Sequence, residues 1–174
     1  MKLDRKYLVL ATIAGFLVAF DQLTKIYIHG NFQLGESLPV IKDIFHITYV
    51  RNLGAAFGAF KDAPETFRTI FFLSMPPIAV AFILYLFRSV ENSDRWQVLS
   101  LSLIFGGAIG NYIDRLRFGF VIDFLDVHYK QAWSYPTFNV ADSAIVSGVG
   151  ILMYIMLARD LAEKRKRDKE NKTA

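Results

Sequence analysis

The chain is 174 residues long, 53% hydrophobic and 15% aromatic, with a mean hydropathy of +0.31. That apolar share exceeds the ~45–50% of soluble domains and excludes disordered and fibrous classes, while the length allows one domain. Charged residues still make up 21% with a net charge of +4, so the charges must be clustered; the absence of cysteine excludes disulfides, thiol nucleophiles, thiolate metal sites and lipidation on cysteine.

A bilayer core about 30 Å thick needs roughly 20 apolar residues in a helix. The first predicted span covers 7–28 and is apolar through Phe20, then carries Asp21 and Lys25. Those two stand four apart on one helix face and read as an ion pair anchoring the helix at the outer interface, with phosphate or lipid-headgroup contact as the alternative. The charged start resembles a secretory leader, but no small-x-small cleavage site precedes Asp21, so the segment is expected to be retained. Segment 29–67 falls outside the spans. Within it, 44–50 is rich in β-branched and aromatic residues and predicts a short strand or hairpin at the membrane surface. The stretch Arg51-Asn52-Leu53-Gly54-Ala55-Ala56-Phe57-Gly58 has small residues that allow close backbone approach. It is either a tight turn packed on a helix or a rim for an extended peptide, with Asn52 as donor and acceptor.

The second span, 69–87, contains Pro76 and Pro77, which should kink it. The third, 96–113, ends with Gly106 and Gly110 in a GxxxG pattern that signals close helix packing. Asn111, Asp114 and Arg115 follow at the outer end of the helix; Asn111 and Arg115 share a face, and Arg115 is expected to pair with a carboxylate. The next outer segment, 114–141, sets Asp123 and Asp126 in apolar sequence, and Asn139 and Asp142 stand at the start of the fourth span, 142–158. Asp142 alone reads as a helix cap. Two carboxylates at the outer mouths of adjacent helices suggest more, because a close pair cannot both ionise and one keeps its proton near neutrality. Such a pair activates water and protonates a leaving amine, with Asn111 and Asn139 available to orient it or to polarise a carbonyl. Asp114, Asp123, Asp126 and Asp142 all remain candidates for that pair. Asp126 with His128 offers only two metal ligands, so no metal is expected. A serine–lysine dyad would have to use Lys130 with Ser134 or Ser143, and no motif supports it.

The ends of the chain and the 88–95 loop hold twelve of the twenty basic residues against seven acids; the remainder holds eight basic and nine acidic residues. The positive-inside rule therefore puts both termini and that loop in the cytoplasm. The basic tail, 159–174, reads as the solvated end of the last span, suited to anionic lipid headgroups rather than nucleic acid. A transporter or channel would place polar residues near the midplane of several spans, whereas here they gather at the outer ends. A non-enzymatic assembly factor held by GxxxG packing leaves the repeated asparagine–aspartate pattern unexplained.

Taken together, Asp21-Gln22-Leu23-Thr24-Lys25, Asn52-Leu53-Gly54-Ala55-Ala56-Phe57-Gly58, Gly106-Gly107-Ala108-Ile109-Gly110-Asn111-Tyr112-Ile113-Asp114-Arg115, Val121-Ile122-Asp123-Phe124 and Phe138-Asn139-Val140-Ala141-Asp142 give a chain that resembles the bacterial signal peptidase II family. The five stretches occur in the family's order across 21–142. The resemblance implies a membrane α-helical fold of four transmembrane helices with a small extracytoplasmic β-sheet cradle. It implies an intramembrane aspartic endopeptidase of the bacterial cytoplasmic (inner) membrane that removes the signal peptide of diacylglyceryl-prolipoproteins before the lipidated cysteine. The family's catalytic pair falls on Asp123 and Asp142. Asn52, Gly54, Asn111, Arg115 and Asn139 fall where that site is lined or supported; Asp21, Lys25 and Asp114 fall on stabilising or positioning places. The resemblance implies no cofactor or metal, and inhibition by the cyclic peptide globomycin.

Overall fold

The computed structural model describes residues 4–54, 60, 62–130 and 132–173, so Ala55 to Phe57 and Gly58 of the small-residue stretch lie outside the described residues. In chain order the elements are α1 (Arg5–Asn31), β1 (Ser37–Ile41), β2 (Phe45–Asn52), α2 (Glu65–Arg88), α3 (Arg95–Phe118), β3 (Val121–Tyr129), β4 (Trp133–Ser134) and α4 (Val140–Thr173). Among the described residues four helices are long and apolar enough to cross a membrane. Each contains one of the four predicted spans. Helix α2 continues through Pro76 and Pro77. Large apolar side chains such as Phe16, Ile70, Phe82 and Met153 are exposed on these helices, as a bilayer-facing surface requires.

Helix α3 is the centre of the bundle, and its small residues explain how. A Cβ on Gly106 would meet Leu17 and Ala14 of α1 at 2.9–3.0 Å, and one on Gly107 would meet the Ala141 carbonyl of α4 at 2.5 Å. The two neighbouring helices therefore approach α3 on adjacent faces where side chains are missing. At the end carrying the α2–α3 connection, Leu10, Ile83, Phe87, Val98 and Leu101 form an apolar cluster. Beside it the buried Lys6 ammonium donates to the carbonyls of Arg88 (2.9 Å) and Val90 (2.6 Å), closing the C-terminal end of α2. Asp94 caps α3 through Gln97 N–H at 3.1 Å and pairs with Arg159 of α4.

At the opposite end the four strands form one antiparallel sheet in the order β1-β2-β3-β4. The predicted 44–50 strand is β2, and a bulge between Ile47 and Val50 changes its register against β3. Tyr49, Ile122 and Phe124 pack with Ile28 of α1, docking the sheet on the bundle. Helix α3 ends at Gly119, whose φ of 77° is left-handed and whose N–H returns to the Arg115 carbonyl at 3.0 Å. That stop lets β3 begin two residues later, directly above the mouth of the bundle.

Helix α4 runs on past the predicted span and carries the exposed basic tail to Thr173. Its charges are spaced for helix: Asp160–Lys164 (2.8 Å), Glu163–Arg167 (4.0 Å) and Lys166–Glu170 (3.9 Å) are all i, i+4 pairs.

Candidate active site

The site forms where β2 and β3 meet the sheet-side ends of α3 and α4. Asp123 lies in β3 and is 1% exposed, and its two carboxylate oxygens are both held. Asn139 Nδ2 donates to Oδ1 at 2.7 Å and Asn52 Nδ2 donates to Oδ2 at 2.9 Å. Asp142 lies in the first turn of α4, where the helix-cap reading and the site reading prove compatible. Asn139 is the cap, accepting the Asp142 N–H at 2.8 Å, and Asp142 Oδ2 accepts the Asn139 N–H at 3.3 Å. This is a reciprocal capping box. The other oxygen, Oδ1, accepts from Asn111 Nδ2 at 2.7 Å. One short helix start thus aims Asp142 and, through the Asn139 amide, steadies Asp123.

Asn111 cannot be turned round. Its Oδ1 accepts from Lys25 Nζ at 2.9 Å and from Asn139 Nδ2 at 3.1 Å. An ammonium has only donors, so the amide oxygen must face Lys25 and the amide nitrogen must face Asp142. Lys25 is itself fully buried, 2.9 Å from Asp21 Oδ2 and 3.0 Å from Asp114 Oδ2. Its three donors therefore meet three oxygens. The expected Asp21–Lys25 pair is present, and it extends to α3.

The two outer carboxylates of that triad hold backbone as well. Asp21 Oδ1 accepts the Ala141 N–H at 2.9 Å, one residue before Asp142. Asp114 Oδ2 accepts the Ile122 N–H at 3.0 Å, one residue before Asp123. Lys25 joins the two carboxylates that fix the chain just ahead of both site aspartates. Gln22, not singled out in the sequence although it stands in the first motif, completes Asp114 with a bond to Oδ1 at 2.8 Å.

Arg115 feels the charges of Asp142, Asp123 and Asp114, but its hydrogen bonds go to backbone. Its guanidinium donates to the carbonyls of Gly54 (3.3 Å) and Asn111 (3.4 Å) and lies 4.9 Å over the Phe72 ring. Gly54 in turn donates its N–H to Asn52 Oδ1 at 2.9 Å, which orients the Asn52 amide toward Asp123. Asp126, another candidate for the pair, is held by Thr48 instead, and Asp114 by the Lys25 cluster. His46 of β2 stands beside Asp126 and His128, a third member that sequence spacing did not offer. Lys130 lies over the Tyr129 ring.

Asp123, Asp142, Asn52, Gly54, Asn111 and Arg115 all line one cleft of about 560 Å³. Tyr135, Phe138, Ile145 and Val146 supply apolar wall that the sequence reading did not identify. Burial, and then the charge of nearby Asp142, push the Asp123 carboxyl up to about 7, against the opposing effect of the Asn52 and Asn139 hydrogen bonds. The result is a carboxyl that holds its proton close to neutrality next to a second carboxylate, in a mainly apolar groove. Such a pair can withdraw a proton from water and return one to a leaving group.

A family model described as signal peptidase (SPase) II matches residues 13–158. A lipoprotein signal peptidase of Syntrophus aciditrophicus is 47% identical over 163 residues, covering 93% of this chain and 98% of its own length. One from Geobacter metallireducens is 41% identical over 165 residues, covering 95% and 98%. A solved structure described as a bacterial membrane enzyme superimposes with a TM-score of 0.79 at 35% identity, covering 89% of this chain and 90% of that one. A second with the same description gives 0.75 at 32% identity, covering 85% and 92%.

Proposed function

The chain belongs to the signal peptidase II family of membrane proteases, and from that premise we propose that Asp123 and Asp142 are the pair with which it hydrolyses lipoprotein signal peptides. The activity, cleavage of lipoprotein signal peptides by a multi-pass membrane protein, comes with the family. The observation that carries the assignment is the hydrogen-bond frame: Asn139 and Asn52 on Asp123, Asn111 and Asn139 on Asp142, with Asp123, Asp142, Asn52 and Asn111 at the wall of one cleft and Asn139 buried behind them.

The mechanism follows from that frame. The scissile peptide lies in the cleft between the two carboxyl groups. Asp142, which accepts two N–H bonds, takes a proton from water as the water attacks the carbonyl carbon. Asp123, whose proton is retained to about pH 7, supports the developing oxyanion and then delivers that proton to the departing amine. Water oxygen ends in the carboxyl of the released signal peptide, and the mature chain leaves with the new amino terminus. Arg115 and Asn52 shape the rim next to Gly54, and Lys25, Asp21 and Asp114 hold the backbone ahead of the pair. No metal or cofactor takes part in these steps.

The substrate is a diacylglyceryl-prolipoprotein cut immediately before its lipidated cysteine. The supporting argument is energetic: each buried CH₂ of an acyl chain is worth about 0.8 kcal/mol, so the substrate stays in the bilayer and must be met there. The apolar wall of Phe138, Ile145 and Val146 beside the pair suits such a substrate, and also a cyclic peptide inhibitor such as globomycin. The membrane is the bacterial cytoplasmic (inner) membrane, with the site on its outer face and both termini in the cytoplasm. The excess of basic residues at the helix ends away from the sheet supports this orientation. A reporter fused after Thr173 and active on the outer side would overturn it.

The test of the function uses purified protein with two precursors, one diacylglyceryl-modified and one with a bare cysteine. The lipidated precursor is shortened and the bare one is not, and globomycin blocks the reaction. Equal cleavage of both would refute the substrate assignment. In water enriched in ¹⁸O, the label appears in the released signal peptide's carboxyl.

A further inference from the structure

We propose that His46, Asp126 and His128 form a divalent transition-metal site, of the kind zinc occupies, clasping β2 to β3 apart from the catalytic pair. The three residues are brought together by sheet geometry. His46 of β2 is paired directly with Asp126 of β3, and His128 stands two residues further along the same strand, on the same face. Asp123 is three residues from Asp126 and so faces the other way. One donor atom from each of the three residues lies within 4.8 Å of the others. Donors on a tetrahedral zinc stand ~3.4 Å apart, so side-chain rotation of about an ångström closes the site. The rings of His46 and His128 already meet at 4.4 Å between centroids.

The hydrogen-bond network fixes which nitrogen of His46 is free. Thr48 Oγ1 donates its one proton to Asp126 Oδ2 at 2.8 Å. The Ser37–Thr48 hydroxyl contact, 2.8 Å, must then use the proton of Ser37. Ser37 Oγ has no proton left for His46 Nδ1, 3.1 Å away, so it accepts from that nitrogen. His46 therefore carries a proton on Nδ1, and its neutral form presents a lone pair at Nε2. That Nε2 is buried and finds no hydrogen-bond partner among the described residues. A buried, unpaired imidazole lone pair costs stability unless something accepts it, and its position beside a carboxylate and a second imidazole supplies the acceptor: a cation. The Ser37 and Thr48 hydroxyls stand where supporting partners of metal ligands stand, holding the second ring nitrogen and the second carboxylate oxygen. Two imidazoles and one carboxylate are the donor set of zinc and its neighbours in the transition series, with a water completing the fourth position.

The ion's role would be structural. Strands β2 and β3 carry Asn52 and Asp123 respectively, so a clasp between them steadies the sheet wall of the cleft.

The experiment is equilibrium dialysis of the untagged full-length protein in detergent against Zn²⁺, with metal content read by atomic spectroscopy and thermal unfolding followed in parallel. One zinc per chain and a higher Tm in its presence are expected. His46→Gln and His128→Gln should abolish stoichiometric binding and the Tm rise. Thr48→Val, which keeps all three ligands, should weaken binding ~10–100-fold. Asp123→Asn should bind zinc as the parent does. Absence of stoichiometric binding, binding unchanged in His46→Gln, or binding lost in Asp123→Asn would each overturn the site.

Discussion

Replacing Lys25 with Met removes the one cation of a fully buried cluster while keeping most of its volume. In the native protein that ammonium lies 2.9 Å from Asp21 and 3.0 Å from Asp114, both 0% exposed, and donates to Asn111 at 2.9 Å. Removing one partner of a buried ion pair costs about 3–5 kcal/mol, because the remaining charge stays without compensation. Here two carboxylates and an amide oxygen lose their donor together, so the loss should reach at least the upper part of that range, about 4–5 kcal/mol. Total stabilities are about 5–15 kcal/mol, so the variant should unfold at visibly lower denaturant. The assay is equilibrium unfolding in mixed micelles, followed by circular dichroism, for the parent, Lys25→Met, Asp114→Asn and the double variant. Asp114→Asn relieves one of the stranded carboxylates, so the double variant should be less destabilised than the sum of the singles by more than about 1 kcal/mol. A Lys25→Met protein within about 1 kcal/mol of the parent, or strict additivity, would refute the reasoning that Lys25 holds the site together.

Three further outcomes are expected. The rate at low substrate should fall on the alkaline side with a midpoint near pH 7: Asp123 keeps its proton below about 7 and loses it above, and the lost form is the acid needed by the leaving amine. A kcat/KM profile flat from pH 6 to 9 would contradict this. Gly110→Ala places a Cβ 2.7 Å from Asp21 Oδ2 and should cost about 1–3 kcal/mol, read as a lower Tm. Asn139→Ala removes the α4 cap, worth about 0.5–2 kcal/mol, and also the amide on Asp123; cleavage should drop far more than stability does, whereas proportionate losses would mean a cap alone.

How far the sequence could be read depended on whether the determining contacts are local. The four spans were legible because hydropathy accumulates along one segment. The 44–50 strand was legible for the same reason, from its β-branched run. The end of α4 was not: a basic run reads as a solvated tail, and its i, i+4 pairing counts only once the helix is already present. Lys6 entered the sequence reading as one of the charges that set orientation, yet its ammonium is buried against the carbonyls of Arg88 and Val90. That contact spans more than eighty residues and leaves no local trace.

The site divides along the same line. Residue types at helix ends marked Asn111, Asp114, Arg115, Asn139 and Asp142 as a group, but four outer carboxylates remained possible partners. Spacing could not choose among them, because Asp123 and Asp126 are separated by the face of β3 each occupies, and Asp114 is taken up by Lys25 of α1, a contact distant in sequence. Only the family resemblance pointed to Asp123 and Asp142; the hydrogen-bond frame shows what holds each of the two carboxylates, and their pairing is the proposal. Register hid His46 as well: it meets Asp126 only because β2 and β3 pair at that point.

The central claim, that Asp123 and Asp142 work as one unit, is tested most directly by single-turnover cleavage of a diacylglyceryl-prolipoprotein by the parent, Asp123→Asn, Asp142→Asn and the double variant, each shown to be folded. Groups that act as a unit lose their effect together, so each single variant should fall by at least about 10³-fold and the double variant no further. Near-parental turnover in either single variant, or losses that multiply in the double, would contradict the account.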